Sequence, residues 1–194
     1  DAVGIDVARV IEACNSQPYS HIHRPGIAVG GHCIPVYPRL YLAGDPDATV
    51  VSAARAANAA MPAYAVSRAA ALLGSLEGLR VAVLGAAYRG GVKETAFSGV
   101  FGVTCALREA GAQVSVHDPL YADDELAAFG WDAYHLGEPV DVAIIQADHA
   151  SYRDLAPADL PGVRLLFDGR AITSPEAWAG TPHIAIGGGA SPAC

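Results

Sequence analysis

Residues Arg24 to Pro38 read RPGIAVGGHCIPVYP and set one cysteine, Cys33, directly behind a loop dense in proline and glycine. Pro25, Gly26, Gly30 and Gly31 permit a backbone path that larger side chains would block, so main-chain N–H groups there can approach a ligand closely. Pro35 suits a first helical turn, where its missing donor costs nothing. Cys33 is therefore predicted at the start of a helix running from about Ile34 to Ala43. The positive end of the helix macrodipole suits an anionic, nucleophilic sulfur there. Local chemistry leaves two readings level: a nucleophile, or a half-buried cysteine behind a structural turn.

A second constellation lies in VAVLGAAYRGGVKETAFSG, Val81 to Gly99. It fails as a dinucleotide fingerprint. Ala86 and Ala87 follow Gly85, so the second glycine that admits a pyrophosphate is absent. Asp118, the acidic residue ending the next strand, stands 33 positions after Gly85, against the usual ~20. The extra length is the loop Tyr88 to Ser98, carrying Arg89, Lys93 and Glu94. A basic loop at a strand's carboxyl end suits a single nucleotide diphosphate better than a dinucleotide. Arg170, in FDGRAI, falls just after another strand and on the same edge; guanidinium binds phosphate bidentately, although a plain surface arginine fits the same pattern. Asp148 and His149 follow a further strand and read as structural loop residues. His32 adjoins Cys33, but neighbours on a helix diverge, so it is not assigned as a base.

These residues need elements to hold them. Asp6 caps a helix predicted over Val7–Cys14. Asp45 as cap and Pro46 in the first turn open a long helix to about Leu73, roughly 40 Å at 1.5 Å per residue. Pro62 is expected to kink it. Its small, alanine-rich face suits close packing, against its own symmetry mate in a homodimer or within the monomer. After Leu79 the runs RVAVLG, QVSVHD, DVAIIQ, VRLLFD and HIAIG alternate with helical stretches FSGVFGVTCALREAG and ADDELAAFG. That alternation predicts an α/β fold, a helical region followed by a doubly wound, Rossmann-like parallel sheet with ligands beyond its carboxyl edge. The expected division is 1–78, a central helical region with the cysteine loop, and 79–194, a nucleotide-binding α/β domain. The tail GGGASPAC is expected to be flexible.

The chain has 194 residues, 52% hydrophobic and 16% charged, a globular balance. A net charge of -8 argues against nucleic acid or an anionic membrane surface as partner. No apolar run approaches the roughly 20 residues of a membrane helix. Cys14, Cys33, Cys105 and Cys194 show no metal-ligand spacing, so no metal is expected, and reduced thiols of a cytoplasmic protein are the simplest reading.

The runs PGIAVGGHCIPVYPRLYL, RAANAAMPAYAV, VAVLGAAYRGGVKETAFSG, QVSVHDPLY, QADHASY and FDGRAI occur in this order, and together they resemble the UDP-glucose/GDP-mannose dehydrogenase family. The His-Cys-Ile-Pro form of the cysteine segment resembles the branch that oxidises UDP-N-acetylhexosamines. The resemblance implies two successive NAD-dependent oxidations at C6 of a UDP-sugar, with Cys33 forming a thiohemiacetal and then a thioester. It implies that Arg24, Pro25, Gly26, Gly30 and Gly31 cradle the sugar and diphosphate. Tyr88 and Arg89 match an aromatic-lysine pair that contacts substrate, and Arg170 an arginine that reaches the nucleotide sugar, often in the neighbouring subunit. RAANAAMPAYAV resembles the central dimerisation helix, so a homodimer through helix 46–73 is expected. Asn58 matches a polar position on that helix, although an interhelical hydrogen bond would explain it equally.

The family's NAD-binding half, with its GxGxxG turn, is not found in this sequence. The chain thus resembles the central and C-terminal part of a longer enzyme, and alone it is expected to be inactive. It departs from the family at two positions. Tyr37 stands where an aspartate usually follows the cysteine by four residues, and Ala96 where an arginine usually contacts NAD. These departures keep open a non-catalytic nucleotide-sugar-binding and dimerisation module. A cysteine hydrolase lacks a His/Asp partner set.

Overall fold

The computed structural model describes residues 1–189; the last residues of the expected flexible tail, with Cys194, lie outside the described residues. Helix α1, Val7–Asn15, is capped by Asp6, whose carboxylate accepts from the Ala8 and Arg9 amides at 3.0 and 3.2 Å. Helix α2 is Cys33–Gly44 and α3 is Thr49–Leu73. From Arg80 the chain alternates: β1 Arg80–Leu84, α4 Val100–Glu109, β2 Gln113–His117, α5 Asp123–Ala128, β3 Asp132–Ala133, β4 Val142–Ile145, β5 Leu165–Asp168 and β6 His183–Ala185.

The six strands form one parallel sheet in the order β3-β2-β1-β4-β5-β6. The chain winds outward from β1 to β3 and returns to lay β4 against the other side of β1. A switch between β1 and β4 results, and a crevice opens beyond the carboxyl ends of the two strands. Apolar residues run continuously through β1 and β4 because both faces are covered. One face, with Val81, Val83, Val142, Ile144 and Phe167, packs on Val103 and Leu107 of α4 and on Ala65, Val66 and Ala69 of α3. The other, with Ala82, Leu84, Ala143, Ile145 and Leu166, is covered by 3-10 turns and loops through Tyr152, Leu160 and Trp178. The Trp178 indole donates to the Leu155 carbonyl at 3.1 Å, so its one polar atom is satisfied inside that layer.

Two expectations need correction. Asp45 does not cap the long helix, and Pro46 is not in its first turn. Asp45 closes α2 instead, its amide donating to the Tyr41 carbonyl at 2.9 Å. The chain then turns through Asp45–Ala48, closed by the Ala48 amide on the Asp45 carbonyl at 3.3 Å, before α3 begins at Thr49. An Asp-Pro pair serves a turn as readily as a helix start, and reversing from α2 into α3 required the turn. The two-residue strand β3 carries no readable pattern and was not expected.

Helix α3 stays helical on both sides of Pro62, whose ring is buried where α4 crosses. A Cβ at Gly102 of α4 would stand 2.8 Å from Pro62 Cγ, so the crossing depends on glycine. This brings α3 onto the sheet and, through it, the cysteine segment onto the sheet's carboxyl edge. Leu107, fully buried between α4 and the sheet, tests that layer: Leu107→Ala is expected to cost about 2–5 kcal/mol in urea unfolding.

Candidate functional site at the carboxyl edge of the sheet

Three loops meet beyond the carboxyl ends of β1, β4 and β5, and the segment before Cys33 lies across them. The Gly31 amide donates to the Ala96 carbonyl at 2.8 Å. A Cβ at Gly30 would come within 2.7 Å of both the Phe97 carbonyl oxygen and Tyr88 Cβ, and one at Gly26 would overlap the Arg170 guanidinium. Ile27, buried beneath, packs against Gly169. These glycines therefore let the cysteine segment seat directly on Tyr88, Phe97 and Arg170. Phe97 (φ 51°) and Ala171 (φ 49°) are the two non-glycine residues with left-handed backbone among the described residues. Each follows immediately on a residue of this contact region, Ala96 and Arg170. Such conformations are uncommon outside glycine and concentrate at functional sites.

Beneath this contact is a charged network. Asp118, nearly fully buried at the end of β2, accepts through one oxygen from the Ala86 amide (2.8 Å), the Ala87 amide (3.0 Å) and His149 Nε2 (3.1 Å). Its other oxygen accepts from the Leu120 amide at 2.9 Å. Burial pushes the Asp118 carboxyl up, but the bonds from His149 and from the Ala87 and Leu120 amides outweigh it and hold the group below the usual carboxylate range. Asp148 accepts from the Gly90 amide at 2.9 Å and pairs with Arg170 at 3.3 Å. Burial raises Asp148 as well, and there too the Gly90 amide and the Arg170 charge prevail. Arg170 is mostly buried, and its Nε has no partner among the described residues.

Cys33 is the first residue of α2 and is exposed, not half-buried. His32 Nε2 lies 3.2 Å from Glu94 of the loop after β1, on the surface. Among the described residues Asn58 makes no interhelical bond: its carbonyl accepts from the Val29 amide at 2.8 Å, and its NH₂ donates to the Val29 carbonyl at 3.1 Å. The long helix thus grips the backbone of the cysteine segment. The structure therefore seats Gly26 on Arg170, and Gly30 and Gly31 on Tyr88. Arg89, beside Tyr88, places its Nε 3.4 Å from the Tyr88 hydroxyl. Arg24 is exposed, with no ion pair or side-chain hydrogen bond among the described residues, and Pro25 is half-buried. The sequence reading missed Asp118 as an organiser. An aspartate ending a strand beside the first turn is its signal, but its partners lie 31 and 32 residues away.

The turn after β1 does not fit a dinucleotide. The carboxylate that would take a ribose diol is spent on the Ala86 and Ala87 amides, so those donors are closed to a pyrophosphate as well. The class defined here is a Rossmann-like α/β fold with a cysteine-bearing segment docked on the carboxyl edge of its sheet.

Comparison with known proteins sharpens this. Residues 1–60 match the model of the UDP-glucose/GDP-mannose dehydrogenase family central domain, and residues 82–175 match that of the family's UDP binding domain. The chain belongs to the UDP-glucose/GDP-mannose dehydrogenase family. It is 30% identical to a UDP-N-acetyl-D-mannosamine dehydrogenase of Methanococcus maripaludis, over 98% of this chain and 46% of the relative. The solved UDP-D-ManNAc dehydrogenase of Pyrococcus horikoshii superposes with a TM-score of 0.77 at 28% identity, covering 96% of this chain and 45% of that one. A UDP-glucose dehydrogenase of Pyrobaculum islandicum gives 0.74 at 27% identity, covering 89% and 42%. The chain thus spans just under half the length of these relatives. Among the described residues, no helix is long and apolar enough to cross a membrane.

Two predictions follow from this geometry. Asn58→Ala removes both bonds to Val29, and amide exchange at Val29 should quicken about tenfold, read by NMR. A carboxyl held below its unfolded value stabilises the fold above that value and loses its contribution as pH falls through the folded one. Asp118 should therefore act fully above about pH 5 and progressively less below about pH 4. Asp118→Asn is expected to lower stability at pH 7 and to flatten urea-unfolding stability across that acid range.

Proposed function

We propose that this edge binds a UDP-sugar and that Cys33 is the nucleophile presented to its hexose, the chain forming part of an NAD-dependent nucleotide-sugar 6-dehydrogenase. The observation that carries the reading is the seating of residues 26–31 on Tyr88 and Arg170, which links the cysteine segment to the basic nucleotide edge. Tyr88, Arg89 and Arg170 would grip the nucleotide and phosphates. Residues 24–31 would lie along the sugar diphosphate. At a C6 aldehyde the Cys33 sulfur adds to the carbonyl carbon, and the former carbonyl oxygen takes up a proton, giving a thiohemiacetal. The oxidations need a hydride acceptor such as NAD, which the turn after β1 does not suit, so no further step is assigned to these residues.

Residues 1–78 form the helical, cysteine-bearing part of this arrangement and 79–194 the UDP-sugar-binding part. Helix α2 buries none of its residues, and Ile34, Tyr37, Leu40 and Tyr41 stand exposed beside an apolar groove of about 980 Å³ against α3. That unpartnered surface supports a homodimer through the long helix. Tyr37 and Ala96, standing where the family usually has aspartate and arginine, also suit a non-catalytic nucleotide-sugar-binding and dimerisation module.

Titration calorimetry with UDP-glucose, UDP-N-acetylmannosamine and NAD tests the reading. The UDP-sugars should bind and NAD should not, and Arg170→Ala should weaken UDP-sugar binding about 10- to 100-fold. Bound UDP-sugar should slow alkylation of Cys33 by iodoacetamide. Binding without protection of Cys33 favours the non-catalytic module; no UDP-sugar binding sinks both. Sedimentation should show a dimer that Leu40→Asp converts to monomer.

A further inference from the structure

We infer that His149 is the positioning residue of the nucleotide loop, fixing the Tyr88–Arg89 turn from both of its ends at once. This rests on the reading of that turn as the nucleotide grip. His149 is 3% exposed and sits between the end of β4 and the 3-10 turn Ala150–Tyr152. Its two ring nitrogens serve opposite ends of the same turn. Nδ1 lies 3.3 Å from the Gly91 amide. That amide can only donate, so Nδ1 accepts and the ring proton belongs on Nε2. Nε2 then donates to Asp118 at 3.1 Å, and the same Asp118 oxygen takes the Ala86 and Ala87 amides.

Asp148, the preceding residue, takes the Gly90 amide. The four backbone donors that flank Tyr88 and Arg89 are thus all bound by side chains, two through Asp118 and two by the Asp148–His149 pair. The Tyr88 amide itself closes on the Glu94 carbonyl at 3.0 Å. The backbone on either side of Tyr88 and Arg89 is thus held before a ligand arrives, so less binding energy is lost in arranging it. Tyr152 meets the His149 ring edge-on at 5.5 Å between centroids and holds the ring's orientation from the far side.

The two bonds of His149 can be separated by conservative replacement. In His149→Asn the side-chain oxygen can stand in for Nδ1, and the link to Asp118 is lost. In His149→Gln the side-chain NH₂ can stand in for Nε2, and the acceptor for Gly91 is lost. Amide exchange by NMR is read residue by residue, beside calorimetry with UDP-glucose. His149→Asn should speed exchange at Ala86 and Ala87 while Gly91 stays slow. His149→Gln should do the reverse, and each should weaken UDP-glucose by about 3- to 10-fold. Asp148→Ala, at a half-exposed position that threatens folding less, should free Gly90 alone and is read by exchange only, because it also releases Arg170. A uniform rise in exchange across the sheet in all three variants, or unchanged UDP-glucose affinity in the two His149 variants once their loop amides are freed, would overturn the inference. A wild-type chain whose variants show the split exchange pattern but which never binds UDP-glucose would instead overturn the proposed function and leave the loop clamp standing.

Discussion

The seating of Gly26–Gly31 on the loops after β1 and β5 is the contact on which the rest of this site depends. It has almost no tolerance for bulk, because Gly30 meets backbone as well as side chain and Gly26 lies against a guanidinium. One main-chain hydrogen bond, Gly31 to Ala96, pins the end of the segment nearest Cys33. Asn58 reaches from α3 to hold its middle. The sulfur's position therefore depends on three parts of the chain that are remote in sequence.

The β1–β4 switch is a frame that elsewhere accepts dinucleotides, and here a buried aspartate has been turned inward to a different use. Once Asp118 accepts the Ala86 and Ala87 amides, the loop that follows is free to lengthen and to carry Tyr88, Arg89 and Lys93 outward. Lys93 bonds to Glu125 at 2.6 Å and stands over the Tyr121 ring at 5.1 Å. It is thereby drawn toward α5.

Much of the fold was legible. The strands β1, β2, β4 and β5 announce themselves as short runs of Val, Ile and Leu, and the capped start of α1 is local chemistry. What failed was whatever depends on partners distant in sequence. The Asp-Pro pair at 45–46 carries the mark of a helix start, but the path from α2 to α3 gave it to a turn. Strand β3 exists because Ser115 and Val116 offer an edge, and its own two residues hold no signal. The glycines before Cys33 were recognised as positions of close approach; that they approach the protein's own loops could not be read locally. His149 was placed correctly as a loop residue, yet its two-sided bonding required the register of β2 and β4.

The bare apolar flank of α2 has one more consequence. A helix that buries none of its residues has little to fix its tilt beyond its first turn, the Arg39 guanidinium over Phe97 and its neighbour α3. Whatever surface comes to cover Ile34, Leu40 and Tyr41 would also set the direction in which the sulfur of Cys33 points. In the proposed dimer, reactivity at that atom becomes a property of the pair, and dilution silences it without altering any residue of the sheet's carboxyl edge.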